Sequence, residues 1–237
     1  MTENSMKKYL PLLITIIPAL FLYRMIIFGE IVTANDDLAR HPINEWRDKY
    51  IAENENMPQW YPNLFSGMPS YGGYIYMTGD PTKLFRNTIL FNLGLKVWFF
   101  LSLGGFGTFF LLKTLGSSSS AGVLGGLITG LTPYGFGLVN AGHLNKIFAM
   151  AYVPWVLACF LVFMKKKSLK SICVLSLITA LQLWANHPQI VYYTWMIIGF
   201  YYVWSIGTEY KNKSFSLASK LCELGGVIIA LFLAFLM

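Results

Sequence analysis

Asp36 and Asp37 stand side by side in the stretch TANDDLARHP, residues 33–42, with Arg40 and His41 close behind, directly after the first long apolar run of the chain. A carboxylate held at the boundary between water and hydrocarbon is partly desolvated, so its basicity can be tuned. It also lies where lipid-borne substrates present their head groups. If the segment is helical, positions four apart are neighbours, which pairs Asp36 with Arg40 as a salt bridge and Asp37 with His41 as an Asp–His couple. The plainer alternative is a solvated loop start whose aspartates cap a helix.

Two further polar corners carry candidate binding groups. In NAGHLNK, residues 140–146, His143 and Lys146 lie three apart at an expected helix start. Backbone N–H groups and a cation there can hold an anion such as a phosphate, or Lys146 can simply snorkel to lipid headgroups. In ANHPQ, residues 185–189, His187 and Gln189 sit in a corner between two aromatic-rich runs, which is also an ordinary composition for a turn. Arg24, near the end of the first run, is a fourth candidate with snorkelling as its alternative. Three histidines and two aspartates are ligand types for a divalent metal, but they are scattered over three loops; no cofactor is expected from them, and a divalent metal stays open as an alternative. No Gly-rich phosphate loop, G-x-S-x-G, H-E-x-x-H or C-x-x-C occurs. Cys159, Cys173 and Cys222 sit in apolar runs without paired or metal-ligand spacing.

The elements that must position these groups are set by composition. A mean hydropathy of +0.52, with 55% apolar residues and 12% charged ones against about 25% charged in soluble domains, excludes a water-soluble globule and points to an all-α, polytopic membrane bundle. Apolar runs predict seven spans, at residues 8–28, 90–115, 118–139, 146–164, 169–185, 189–207 and 219–237. Residues 8–28 lack a small-x-small cleavage site and read as a retained first helix rather than a signal peptide. GGFG at 104–107 and GVLGG at 122–126 predict close approach of helix backbones, and SSSS at 117–120 predicts a turn and cap. Residues 82–95 read as an interfacial helix, with the span proper starting near Lys96. The run that ends at Met237 has no flanking polar anchor. It reads as the end of an amino-terminal part of something longer, or of a degenerate short version, so residues 1–237 form a single membrane domain.

A net charge of +7 in a soluble protein would suggest nucleic acid; beside membrane spans it reports topology instead, and no nucleic-acid partner is expected. With a cytoplasmic amino terminus, the inner segments hold Lys7, Lys8, Lys113, Lys165, Lys166, Lys167, Lys170, Lys211, Lys213 and Lys220, ten of the eighteen basic residues. Eight of the eleven acidic residues then fall in one external loop, residues 29–89: Glu30, Asp36, Asp37, Glu45, Asp48, Glu53, Glu55 and Asp80. His41, His143 and His187 gather on the same outer face. Long connections tend to be functional or disordered, and this one holds Trp46, Tyr50, Trp60, Tyr61, Phe65, Tyr71, Tyr74 and Tyr76, too many aromatics for disorder. Its first half, residues 37–55, has the spacing of a helix lying on the membrane surface. Its second half, rich in Pro and Gly, reads as turn and loop.

The run WYPNLFSGMPSY, residues 60–71, resembles the W-x-x-x-x-F-x-G-M-P signature of YfhO-type bacterial membrane proteins. The order of the remaining corners is also similar: an aspartate soon after the first span, then Gly142-His143, then His187-Pro188-Gln189. The resemblance implies a GT-C-like glycosyltransferase of the bacterial cytoplasmic membrane, which moves a sugar from a polyprenyl-phosphate donor to a cell-envelope glycan or lipid acceptor at the outer face. It also implies that Asp36 or Asp37 is the catalytic base. Arg24, His143 and Lys146 are then candidates for the leaving phosphate, with Arg40 and His41 orienting the carboxylates and Trp60 or Tyr71 stacking on the sugar. A transporter or flippase of an envelope lipid would keep ionisable groups near the bilayer midplane, whereas here they collect at the rim. A non-catalytic assembly partner that keeps the fold is the third reading.

Overall fold

The computed structural model describes residues 9–30, 35–62, 66–69 and 81–237; in the helix that begins at Asn35, side chains are described from Pro42 onward. Lys7, Lys8, Phe65, Tyr71, Tyr74, Tyr76 and Asp80 lie outside the described residues. A 3₁₀ turn, Leu10–Leu12, leads into α1 (Leu13–Phe21) and α2 (Tyr23–Ile27). Then come α3 (Asn35–Asn54), a hairpin of β1 (Trp60–Tyr61) and β2 (Met68–Pro69), and α4 (Thr82–Thr88). The remainder is helical: α5 (Leu93–Thr114), α6 (Ser119–Gly130), α7 (Pro133–Ala141), α8 (Leu144–Lys166), α9 (Leu169–Trp184), α10 (Pro188–Lys211) and α11 (Leu217–Leu236). Hydrocarbon offers backbone groups no partners, and a helix satisfies its own.

Five units are long and apolar enough to cross a membrane: α5, α6 with α7, α8, α10 and α11. Residues 8–28 and 169–185, also expected to span, form shorter apolar helices. The first is bent at Leu22 (φ −100°, ψ 8°), one turn after Pro18, whose ring leaves the helix without one N–H donor. The sixteen residues of α9 reach about 24 Å, short of the ~30 Å hydrocarbon core. Apolar side chains cover the outer faces of α10 and α11, among them Ile197, Phe200, Trp204, Ile228, Phe232 and Phe235. Water would not tolerate such a surface, and a bilayer covers it.

Three local readings change. The run expected as one span at residues 118–139 breaks at Leu131 and Thr132, because Pro133 pushes Thr132 out of the helical region (ψ 130°) and starts a new helix. α5 starts at Leu93 rather than near Lys96, since the Asn92 side chain caps it by accepting from Leu95 N–H at 2.7 Å. Lys96 therefore lies in its first turn. The Pro/Gly-rich segment is not all loop: Trp60 pairs with Pro69 and Tyr61 with Met68, antiparallel. Ser66 (φ 62°) and Gly67 (φ 108°) make the return.

Glycines set the register of the bundle. A Cβ on Gly105 would lie 2.7 Å from the carbonyl oxygen of Gly126, and one on Gly126 the same distance from that of Gly105. Gly130 faces Leu101, and Gly122 faces Phe109. α5 and α6 thus run antiparallel at backbone contact, as GGFG and GVLGG predict. α8 runs parallel to α5: Phe100 stacks on Phe148 at 4.1 Å, Gly104 meets Ala151, and Trp155 Nε1 donates to Leu103 O at 2.8 Å. One end of the bundle therefore gathers the starts of α5, α8 and α10. The opposite end gathers lysines, with Lys165 Nζ donating to Thr114 O at 2.6 Å.

Candidate functional site

The two histidine corners meet at the first of these ends. His143 and His187 are the residues immediately before α8 and α10, and neither caps its helix with its side chain. A helix start favours negative charge through its open N–H groups, which α8 offers more fully than α10, since α10 opens with Pro188 and its Ile190 N–H bonds His187 O at 3.1 Å. Gly142 closes α7 in the left-handed conformation (φ 80°), which turns the chain sharply from α7 into α8 and brings Tyr134 back over Lys146. Lys146 Nζ lies 5.4 Å from the Tyr134 ring centroid.

Lys146 and Gln189 line one cleft of about 270 Å³, together with Tyr134, Tyr193 and Thr194. Gln189 Nε2 donates to the Tyr193 hydroxyl at 2.8 Å, one turn along α10. His187 is half-buried at the edge of this group, and among the described residues its Nδ1 has no hydrogen-bond partner. Burial of the ring, followed by the charges of Lys146 and His143, holds its pKa below the ordinary imidazole value. A bound anion would stabilise the cationic form of this imidazole, which would then take up a proton from water. A second, apolar cavity of about 310 Å³ lies between α5, α6, α7 and α8, and Met150 lines both.

The remaining sequence-predicted residues sit around this centre. α3 packs against α7, so the helix that carries Asp36, Asp37, Arg40 and His41 touches the element that ends at Gly142; the side chains of these four are outside the described residues. Their backbone is helical, so the four-residue spacing does put Asp36 and Arg40, and Asp37 and His41, on shared faces. Trp60 lies on the hairpin, its indole ring against Gly67, where a Cβ would meet it at 2.8 Å. Its neighbour Tyr61 is buried and packs on Trp46 of α3 at 5.5 Å. The Gly-Met-Pro turn thus presents Trp60, 54% exposed, from a platform fixed to α3. Arg24 is engaged elsewhere, with Nη2 2.6 Å from Glu30 Oε1.

No family model, curated protein or solved structure matches this chain. The chemistry of the site therefore stands on its own residues.

Sequence reading missed several of them. Arg86, expected as part of an interfacial segment, lies 5.6 Å from the Phe148 ring at the start of α8 and adds a cation to this end. Tyr134 and Tyr193 are aromatic walls of the cleft, indistinguishable in sequence from interfacial belt residues. Gln182 was passed over inside an apolar run, although an amide among LITALQLW is itself a sign of a buried hydrogen bond. At the opposite end, Lys220 and Glu223 are buried and joined at 2.9 Å. Lys167 reaches Glu223 at 2.7 Å and Glu209 reaches Lys220 at 2.6 Å. Alternating charge along Lys167, Glu223, Lys220 and Glu209 makes this a pairing chain, and it ties the α8–α9 turn, α10 and α11 together. Among the described residues there is no group of three His, Cys, Asp or Glu that could hold a metal ion.

Proposed function

We propose that the protein is a GT-C-like membrane glycosyltransferase that moves a sugar from a polyprenyl-phosphate donor to a cell-envelope acceptor, in a bacterial cytoplasmic membrane crossed seven times. The observation that supports it is the cleft: Lys146 and Gln189 line it, and His187 lies close enough to Lys146 and His143 to feel their charge, at the end of the bundle where α3 packs. The resemblance of residues 60–71 to the YfhO-type signature adds the reaction class.

In this reading the acceptor hydroxyl attacks the anomeric carbon while Asp36 or Asp37 takes its proton. The bond from that carbon to the phosphate oxygen breaks, and its electron pair leaves with the lipid phosphate. The carboxylate's negative charge also favours an oxocarbenium-like transition state. Lys146, His187 and the start of α8 receive the charge that develops on the phosphate. Gln189 and Tyr193 supply neutral donors, and Trp60 offers a ring on which a sugar stacks. The apolar cavity lies on the other side of Met150 from the cleft, so a ligand with a polar head and a hydrocarbon tail would find both kinds of surface close together.

The test replaces Asp36 and Asp37 with Asn, singly and together, and follows modification of envelope glycan in cells supplied with polyprenyl-phosphate sugar. Loss of modification at normal protein level is expected in the double variant. Unchanged modification would remove both aspartates from the mechanism. A flippase would instead lose movement of lipid across the bilayer when Lys146 is replaced, and would keep its activity in the aspartate variants.

A further inference from the structure

Gln182 occupies the last turn of α9 and has no exposed surface. Its Nε2 donates to Ala149 O at 3.2 Å and to Thr194 Oγ1 at 2.9 Å. Thr194 in turn donates to Ile190 O at 2.8 Å. Ala149 follows Lys146 by three positions, so the two share a face of α8. Ile190 is the residue after Gln189, in the first turn of α10, and Thr194 itself lines the cleft. A single amide therefore bridges the turn that carries Lys146 and the turn that carries Gln189.

The orientation of the amide follows from its partners. A backbone carbonyl only accepts, so the nitrogen must face Ala149, and the Thr194 proton is already given to Ile190 O. The amide oxygen is left over: among the described residues Gln182 Oε1 has no partner. An orphaned amide oxygen in an apolar interior is a penalty that leucine, of similar volume, would not carry. Stability alone gives no reason for glutamine here, whereas the spacing between α8 and α10 does.

We propose that Gln182 is a positioning residue that sets the width of the cleft between Lys146 and Gln189 and so the grip on a lipid phosphate. The grip rests on the reading of the cleft given above; the width does not. Two measurements on the purified full chain in detergent micelles separate them. In a background with Cys159, Cys173 and Cys222 changed to Ala, spin labels at Asn145→Cys and Tyr192→Cys report the distance between the two helices. One narrow distribution is expected for the parent and for Thr194→Ser, and a broadened or displaced one for Gln182→Leu and for Thr194→Val. Unchanged distributions in Gln182→Leu and Thr194→Val overturn the positioning role, whatever the ligand.

Binding of farnesyl phosphate is the second measurement. Gln182→Leu and Lys146→Gln should each weaken it about tenfold, and the double variant little more than either, because the first acts through the second. Losses that multiply in full would overturn the link, since they describe a general loosening. A parent that binds no farnesyl phosphate would overturn the phosphate reading, while the spin-label distances still decide the role of Gln182.

Discussion

Lys146 of α8 and Gln189 of α10 line the same cleft, although the chain between them runs the length of the bundle and back. What joins them is a buried relay through Gln182 and Thr194. The cation and the amide are thereby held on the walls of one cleft. If Lys146 is the principal phosphate contact, Lys146→Gln should weaken binding of a polyprenyl phosphate by about 10- to 100-fold, on the order of 1.5–3 kcal/mol, the range of a hydrogen bond to a charged group. Arg24→Gln, which removes a side chain already paired with Glu30, should change it little. Titration in nanodiscs distinguishes the two.

His187 gives the cleft a pH signature. In the empty cleft burial, Lys146 and His143 hold the imidazole below its ordinary value near 6.5, so the neutral form is favoured. A bound phosphate stabilises the cationic form and raises that pKa, and binding then takes up a proton. Affinity should rise as pH falls from about 7.5 toward the lowered pKa of the free site, and His187→Gln should flatten the profile. Affinity measured from pH 5 to pH 8 in both proteins checks the sign. The linkage for stability has the opposite sense: a depressed histidine contributes stability above its ordinary value that is lost as pH falls through the folded one.

Gly105 of α5 and Gly126 of α6 meet at backbone contact in the core of the fold. Gly105→Val drives a side chain into the Gly126 carbonyl and should lower stability by about 1–3 kcal/mol or displace α6. Gly137→Ala, where a Cβ meets nothing within 4 Å, should leave stability unchanged or raise it by up to about 1 kcal/mol through helix propensity. Thermal unfolding midpoints in one detergent compare them.

The buried pair at the other end predicts a non-additive series. Lys220→Met leaves Glu223 with Lys167 alone and Glu223→Leu leaves Lys220 with Glu209 alone, so each should destabilise by less than the ~3–5 kcal/mol of a fully stranded charge, and the apolar double variant should recover much of the loss. Equal or greater loss in the double variant would mean that the charges act through something other than each other.

How far these features were legible in the sequence differs by their physical origin. The helices, the close glycines and the polar corners follow from hydropathy, small-residue spacing and turn chemistry. All of these are local, and His143, Lys146, His187 and Gln189 were found that way. That the four converge depends on α8 and α10 running side by side with their starts at one end, which no local pattern states. Lys220 and Glu223 illustrate the same limit. Lys220 reads in sequence only as one of the inner basic residues, because Glu209 lies in α10 and Lys167 in the α8–α9 turn, and of its pairings only the one with Glu223, three positions on, is local. Breaks were misjudged where one residue outweighed a long apolar run, as Pro133 and Asn92 do.

Orientation can be read with a membrane-impermeant maleimide on intact cells. With the histidine end outside, Glu53→Cys in α3 should label and Lys213→Cys after α10 should be protected, in the same cysteine-free background. The reverse pattern would move the cleft to the cytoplasmic face and remove the envelope acceptor from the reading.

The most direct test is transfer itself. Protein reconstituted in proteoliposomes is given a polyprenyl phosphate carrying a labelled hexose together with a cell-envelope fraction, and the label is followed from lipid to acceptor. The parent should move it, and the variant with Asn at positions 36 and 37 should do so at least about 100-fold more slowly, the loss expected when a general base is removed. A parent that moves no label, or a double variant that moves it at the parent's rate, would contradict the account.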